Sequence, residues 1–214
     1  MKSKIQSLKN GNKKTVIKKL FLTAAVAVSS VTFAQQFGAK AGMNVSTISD
    51  EGFDDTKSKV GYYAGVFMNV PVSESFSIQP EVLYNNLGSK VSSTVLGTTY
   101  SSTLNLDYIA VPVMFQYKAT PQFYLEAGPE FGFLVNAKQK FDNGSSSTVT
   151  ELDKEDFNSF NMGVGLGLGF DISKNVGLNA RYVAGFSDIT KESGPSTDAK
   201  NKNNAFQVGL NIKF

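Results

Sequence analysis

The sequence predicts an all-β protein, an eight-stranded antiparallel transmembrane β-barrel of up-and-down topology. Three observations predict it. Eight segments alternate apolar with small or polar residues at period two, the spacing at which strand side chains change face. The connections between these segments are long and short in turn. The clearest segment, Met162 to Ile172, reads M-G-V-G-L-G-L-G-F-D-I. It sets Met162, Val164, Leu166, Leu168, Phe170 and Ile172 against Gly163, Gly165, Gly167, Gly169 and Asp171. A face of four glycines cannot fill the core of a water-soluble sheet. It suits the crowded lumen of a narrow barrel whose apolar face meets lipid, with the bare backbone leaving room for Tyr63, Phe67, Tyr124 and Arg181 from other strands.

The first segment, Phe37 to Thr47, sets Phe37, Ala39, Ala41, Met43 and Val45 against Gly38, Lys40, Gly42 and Asn44. The second, Val60 to Val70, opposes Val60, Tyr62, Ala64, Val66, Met68 and Val70 to Gly61, Tyr63, Gly65, Phe67 and Asn69. In the third, Phe76 to Asn85, Ile78, Pro80, Val82 and Tyr84 face lipid, and Ser77, Gln79, Glu81, Leu83 and Asn85 face inward. The fourth, Thr103 to Lys118, turns Ile109, Val111, Val113, Phe115 and Tyr117 outward and Tyr108, Ala110, Pro112, Met114 and Gln116 inward. On that register Leu104 and Leu106 point inward and Asp107 outward, which predicts a bulge near Asp107 or a strand end beyond the bilayer. Pro112 lacks a ladder donor and is tolerated best at such a bulge.

The fifth, Gln122 to Asn136, places Tyr124, Glu126, Gly128, Glu130, Gly132 and Asn136 inward, opposite Phe123, Leu125, Ala127, Pro129, Phe131, Phe133 and Val135. The glycine segment is the sixth. The seventh, Asn175 to Ser187, turns Gly177, Asn179, Arg181, Val183 and Gly185 inward, and the eighth, Ala205 to Phe214, turns Gln207, Gly209, Asn211 and Lys213 inward.

Connections near residues 48–59, 86–102, 137–157 and 188–202 are long and polar, and those near 71–75, 119–121 and 173–174 are short. Long loops outside and tight turns in the periplasm are the layout of an even-stranded barrel. Acidic clusters fall in the first loop (Asp50, Glu51, Asp54, Asp55) and the third (Glu151, Asp153, Glu155, Asp156). Neither has the spacing of a calcium loop, so they read as solvated charge. The second loop, Ser89 to Thr103, is Ser/Thr-rich and nearly uncharged, and is expected to be mobile.

Residues 1–34 are of another kind. Seven lysines without an acid precede the apolar run Leu20 to Val28, and Thr32 and Ala34 stand at −3 and −1 of a cut before Gln35. This predicts a signal peptide over 1–34, cleaved between Ala34 and Gln35, and a barrel domain over 35–214 exported to the cell outer membrane. Seven of the 21 basic residues lie in the leader, leaving 14 against 18 acidic, a net charge of −4. The basic pI of the whole chain therefore gives no support to nucleic-acid binding. Cysteine, histidine and tryptophan are absent, which removes disulfides, thiol chemistry, soft-metal sites and histidine acid–base catalysis. Beyond the leader no apolar run approaches the ~20 residues of a spanning helix.

With the segments in place, the chain resembles the small outer-membrane β-barrel family that includes PorT-like proteins of Gram-negative bacteria. The resemblance is carried by F-G-A-K-A-G-M-N-V-S (Phe37–Ser46), Y-I-A-V-P-V-M-F-Q-Y (Tyr108–Tyr117) and Y-L-E-A-G-P-E-F-G-F (Tyr124–Phe133), and covers nearly the whole chain after the leader. It implies an outer-membrane barrel and, through some relatives, a role as an accessory of type IX secretion. The terminal alternation ending in Phe214 resembles the signal read by the barrel-assembly machinery. Where relatives commonly carry an acid between the Tyr and Pro of the fourth strand, this chain has Ala110, so an ion pair from that position is missing.

The inward faces collect Lys40, Glu81, Glu126, Glu130 and Arg181, with Tyr63, Tyr124, Gln79, Asn179 and Gln207 in register. Charges inside so narrow a barrel must be paired, so the reading is a structural polar network that plugs the lumen. Glu126 and Glu130 lack a positioned nucleophile, and no catalytic residue, metal ligand or cofactor is expected. The expected partners are outer-membrane lipid, the barrel-assembly machinery, and a surface or secretion-system protein. The expected role is structural or surface-interacting, with an export accessory and a narrow solute channel as alternatives. Deleting Phe214 is expected to lower the yield of folded barrel, scored by heat-modifiable gel migration; an unchanged yield would mean that the terminal residue is not read.

Overall fold

The computed structural model describes residues 35–49, 57–95, 98–154, 157–189 and 201–214. The expected leader, the first-loop acids Asp50, Glu51, Asp54 and Asp55, and Glu155 and Asp156 lie outside them. Among the described residues there are nine strands: β1 (Gln36–Ser49), β2 (Lys57–Pro71), β3 (Phe76–Val95), β4 (Thr98–Lys118), β5 (Phe123–Asp142), β6 (Ser147–Glu151), β7 (Phe160–Asp171), β8 (Val176–Asp188) and β9 (Lys202–Lys213). Eight of them are the staves of a closed antiparallel ring in the order β1-β2-β3-β4-β5-β7-β8-β9, and β9 pairs back onto β1 from Gly38↔Lys213 to Ser49↔Lys202. The ninth, β6, pairs only with β5 and belongs to the third long connection.

Burial follows the alternation read from the sequence. Lys40, Asn44, Tyr63, Phe67, Glu81 and Arg181 are buried, while their neighbours Met43, Tyr62, Val66 and Val82 are half or more exposed. Large apolar side chains on the outer wall, such as Leu166 at 60% and Phe170 at 47% exposure, fit a surface bathed in hydrocarbon. Sharp turns join the staves at one end. Ser73, Thr120 and Ser173 each accept, on Oγ or Oγ1, a hydrogen bond from the backbone N–H three residues on, at 3.1, 2.9 and 3.1 Å.

The bulge expected near Asp107 lies there, with the additional residue on the partner strand. Asp107 faces Asn136 and Tyr108 faces Leu134, so Val135 is the extra residue, on β5. Below it the inward positions of β5 are even-numbered (Glu126, Glu130); above it they are odd, with Ala137 buried, so Asn136, expected inward, faces out beside Asp107 because the extra residue reverses the alternation. The bulge lets Asp107 stay on the outer face, where Asn86 Nδ2 donates to Oδ1 and Asn136 Nδ2 donates to Oδ2 at 2.9 Å. Pro112 does not sit at a shifted register. Pairing between β4 and β5 lapses after Pro112↔Glu130 and resumes unchanged at Phe115↔Ala127. Similar gaps adjoin Pro80, between Phe67↔Glu81 and Val70↔Ile78 and between Pro80↔Val113 and Leu83↔Ala110. A missing proline donor thus costs a short gap in the ladder without displacing a strand.

The second long connection is a hairpin and not the mobile loop its composition predicts. β3 and β4 stay paired to Val95↔Thr98, with the Thr94 and Thr99 hydroxyls hydrogen-bonded at 3.0 Å. Serine and threonine pair well across antiparallel strands, and that local fit outweighs their polarity. β5 likewise runs to Asp142, beyond its predicted end, and folds back through Gly144 (φ 83°) into β6. Since about 9–11 residues suffice to cross a bilayer, the 20, 21 and 20 residues of β3, β4 and β5 carry a paired sheet well past it.

Several glycines allow the strands to approach closely, Gly65 and Gly128 among them. A Cβ at Gly65 would fall on the Val82 carbonyl oxygen, and one at Gly128 on the Val113 carbonyl oxygen. At both places the neighbouring backbone occupies the space of a side chain, the kink that a tightly curved sheet requires. Gly128→Val is therefore expected to destabilise the barrel by about 1–3 kcal/mol or more. Urea unfolding of detergent-extracted protein measures it, and wild-type stability would mean that the wall yields.

Candidate functional site

Among the described residues, the lumen gathers a cluster of buried charge. Arg181, 1% exposed, stands at its centre on β8. Its Nε donates to Glu126 Oε1 at 2.8 Å, its Nη1 to Glu81 Oε2 at 3.0 Å and its Nη2 to Glu81 Oε1 at 2.8 Å. Nη2 also lies 2.7 Å from Glu126 Oε1. From β1, Lys40 Nζ donates to Glu81 Oε1 at 2.8 Å and lies 5.7 Å from the centre of the Phe67 ring. Gln79 donates to Glu81, and Gln116 to Glu126 Oε2 at 2.9 Å. Every carboxylate oxygen of Glu81 and Glu126 is thereby engaged. That is the condition under which charge is tolerated in a low-dielectric interior.

Two polar chains adjoin this centre. Asn69 donates to Ser77, Gln79 and Gln116. On the opposite wall, Asn179 accepts from the Tyr63 hydroxyl at 2.8 Å and donates to Asn211, which donates to the Tyr124 hydroxyl at 3.0 Å. At the turn-bearing end, Lys213 and Asp171 pair at 2.6 Å. The glycines make room for these groups. Side chains at Gly165, Gly167 and Gly169 would meet Arg181, Glu126 and the Tyr124 ring respectively. Tyr63 and Phe67 use other glycines: Tyr63 lies against Gly42 and Gly209, and Phe67 against Gly38.

Of the five charged candidates, Lys40, Glu81, Glu126 and Arg181 meet and Glu130 stands apart. Its Oε1 is 3.5 Å from Asn85 Nδ2, and its Oε2 has no hydrogen-bond partner. Glu126, tied on both oxygens, and Glu130, deeper toward the opposite mouth, do not form an acid–base pair. Asn69, Asn85, Gln116 and Asn211 join the network although the sequence reading did not single them out. They lie on the inward register, so the period-two pattern already held that signal.

Above Glu130 the mouth is closed by an apolar cluster of Leu87, Leu106, Tyr108, Ala137, Phe157, Ile189 and Ala205. Phe157 and Ile189 come from the third and fourth connections and are drawn in by backbone bonds. Asn158 N donates to Ile189 O at 2.8 Å, and Ile189 N to Asn201 O at 2.9 Å. No periodicity marks those two residues, so the pattern reading missed them. Phe214 lies at the β9–β1 seam, 77% exposed, with its N–H donating to Phe37 O at 2.8 Å.

A closed eight-stave ring with an apolar outside, a polar plugged inside and tight turns at one end defines an integral outer-membrane β-barrel. The profile of the outer membrane protein beta-barrel domain family matches residues 33–191, and the chain belongs to that family. It is a protein of the cell outer membrane. No curated protein matches the chain. Among solved structures, Ail, the attachment invasion locus protein of Yersinia pestis, is similar at a TM-score of 0.50 and 14% identity, covering 85% of this chain and 100% of its own. Neisserial surface protein A is similar at 0.47 and 12%, over 85% of this chain and 100% of its own. OprG from Pseudomonas aeruginosa aligns at 0.40 and 14%, over 85% and 96%.

Removing one partner of a buried ion pair strands the others. Arg181→Met is expected to cost about 3–5 kcal/mol by leaving Glu81 and Glu126 without their shared cation. Adding Glu81→Gln and Glu126→Gln should recover most of the loss. Urea titrations of the single and triple variants check both, and an unperturbed single variant would show that the centre carries no stability.

Proposed function

We propose that this barrel is a non-conducting, non-enzymatic membrane protein that acts at the cell surface through the sheet raised above its mouth. The observation that carries the reading is the extended hairpin pair. Beyond the bilayer, β3, β4, β5 and β6 continue as a four-stranded antiparallel sheet in which Val91, Tyr100 and Phe141 are 47%, 41% and 50% exposed. By alternation these three share the face of Leu87, Leu104 and Ala137, which looks over the mouth. Apolar groups held out of both lipid and core fit a protein partner. Among the described residues β6 is hydrogen-bonded on one edge only, the side facing β5. A lone strand edge of this kind accepts a partner strand by backbone pairing.

The lumen supports the same reading. The ion-pair centre and the apolar mouth cluster stand one above the other across the passage, in a barrel whose bore eight strands leave filled by side chains. In planar bilayers the purified protein is expected to give no conductance steps above leak. In-cell cross-linking from position 100 or 141 is expected to capture one reproducible partner, lost in a Val91→Asp/Tyr100→Ala/Phe141→Ala variant that still shows heat-modifiable migration. Discrete conductance steps would instead favour a solute channel. Loss of signal-bearing cargo export on gene deletion would favour the secretion accessory implied by the PorT-like resemblance.

A further inference from the structure

Between the ion-pair centre and the apolar mouth cluster lies a buried polar layer whose hydrogen bonding is incomplete. Glu130 Oε2, Asn44 Oδ1 and the hydroxyl of Tyr108, whose ring belongs to the mouth cluster above, are buried without a partner. The links that do exist are long: Asn85 to Glu130 and Gln207 to Asn85 are each 3.5 Å. Register joins these residues, since Asn44 lies opposite Gln207 on β1–β9 and Asn85 opposite Tyr108 on β3–β4. Buried polar atoms in a native protein are almost always satisfied. Orphans joined by such stretched bonds therefore point to a polar partner that the protein itself does not supply.

Charge says which kind. Among the described residues facing the lumen within the wall, two cations, Lys40 and Arg181, meet three carboxylates, Glu81, Glu126 and Glu130. Both cations are spent on Glu81 and Glu126. At the outer rim Lys59 and Asp107 are joined through the Asn86 amide, and Lys213 and Asp171 pair at the other end, so neither pair relieves the excess. One carboxyl is left without a cation, that of Glu130, 8% exposed and beneath an apolar roof. An ionised carboxylate buried without a counter-charge is strongly destabilising.

We propose that the chamber around Glu130 binds one small monovalent cation, with the Glu130 carboxylate as its charged ligand and neutral amide and hydroxyl oxygens completing its surroundings. Oxygen donors suit a hard ion. A single carboxylate matches one positive charge, and among the described residues no group of three or more Asp, Glu, His or Cys gathers as a multivalent metal would need. The apolar roof of Phe157 and Ile189 shields the ion from bulk water, and the Arg181 centre bars it from passing through. The chamber is therefore a dead-end site that contributes to folding and carries no current.

The test is unfolding of the full protein in detergent micelles at mildly alkaline pH, in sodium chloride and in choline chloride at equal ionic strength. A small ion enters the chamber and choline does not. At sodium ten times the dissociation constant, the folded-to-unfolded ratio of wild type should rise about tenfold over choline. Glu130→Gln should show no difference between the salts. Equal wild-type stability in both salts would overturn the site and leave a proton on Glu130, or water alone, as the occupant. A sodium effect retained in Glu130→Gln would also overturn it. Should that variant not fold, thallium(I) NMR on wild type decides: a bound signal displaced by sodium supports the site, and none overturns it.

Discussion

The constraint on which the rest depends is that hydrocarbon offers no hydrogen bonds. Every backbone N–H and C=O in the bilayer must be paired within the protein, and a sheet can do that only by closing on itself. The β1–β9 seam makes that closure, with twelve residue pairs in unbroken register from Gly38↔Lys213 to Ser49↔Lys202. The side chains then have no choice of face. The outer positions must be apolar, and whatever is polar must go into a bore that eight strands make very narrow.

The narrowness explains both the glycines and the charges. Arg181 and Tyr124 are too large to share the bore with side chains from β7, so the β7 positions their side chains lie against are Gly165 and Gly169. In return the closely packed groups find partners on several strands: Arg181 on β8 reaches Glu81 on β3 and Glu126 on β5. An interior built this way joins residues more than 100 positions apart in the chain, as Tyr63 and Asn179, 116 positions apart, show. It resists the slippage to which glycine-rich strands are prone, because a shift of one residue would turn the whole charged set outward into lipid. The same interior leaves Glu130 outside the pairing, one carboxylate more than the cations can satisfy.

Outside the bilayer the constraint lapses and the chain uses its strands differently. β3, β4 and β5 continue past the length that lipid requires and take up β6, so the upper structure is a sheet standing on one side of the mouth. The Ser/Thr-rich stretch from Ser89 to Thr103 shows why composition misled here. Low charge and low hydrophobicity argue for a loop when a segment is taken alone. Beside a partner strand already held in register by the barrel, the same residues only have to extend a ladder that exists.

Period two is imposed by the strand backbone and needs no knowledge of neighbours, so the staves, their faces, the inward set apart from Asn136, and the alternation of long and short connections were all legible in the sequence. Even the irregularity at Asp107 was visible, as a charge on an otherwise apolar face. Four matters were decided only by the tertiary structure. The compensating bulge falls at Val135 on the partner strand, because a mismatch between strands is relieved where the extra residue fits. Lys40, Glu81, Glu126 and Arg181 meet while Glu130 does not, because stagger around the ring sets which inward residues share a level. Tyr63 and Phe67 lodge against Gly42, Gly209 and Gly38, away from the β7 glycines, for the same reason. Phe157 and Ile189 close the mouth from connections without period, where only the packing of the finished barrel selects a position.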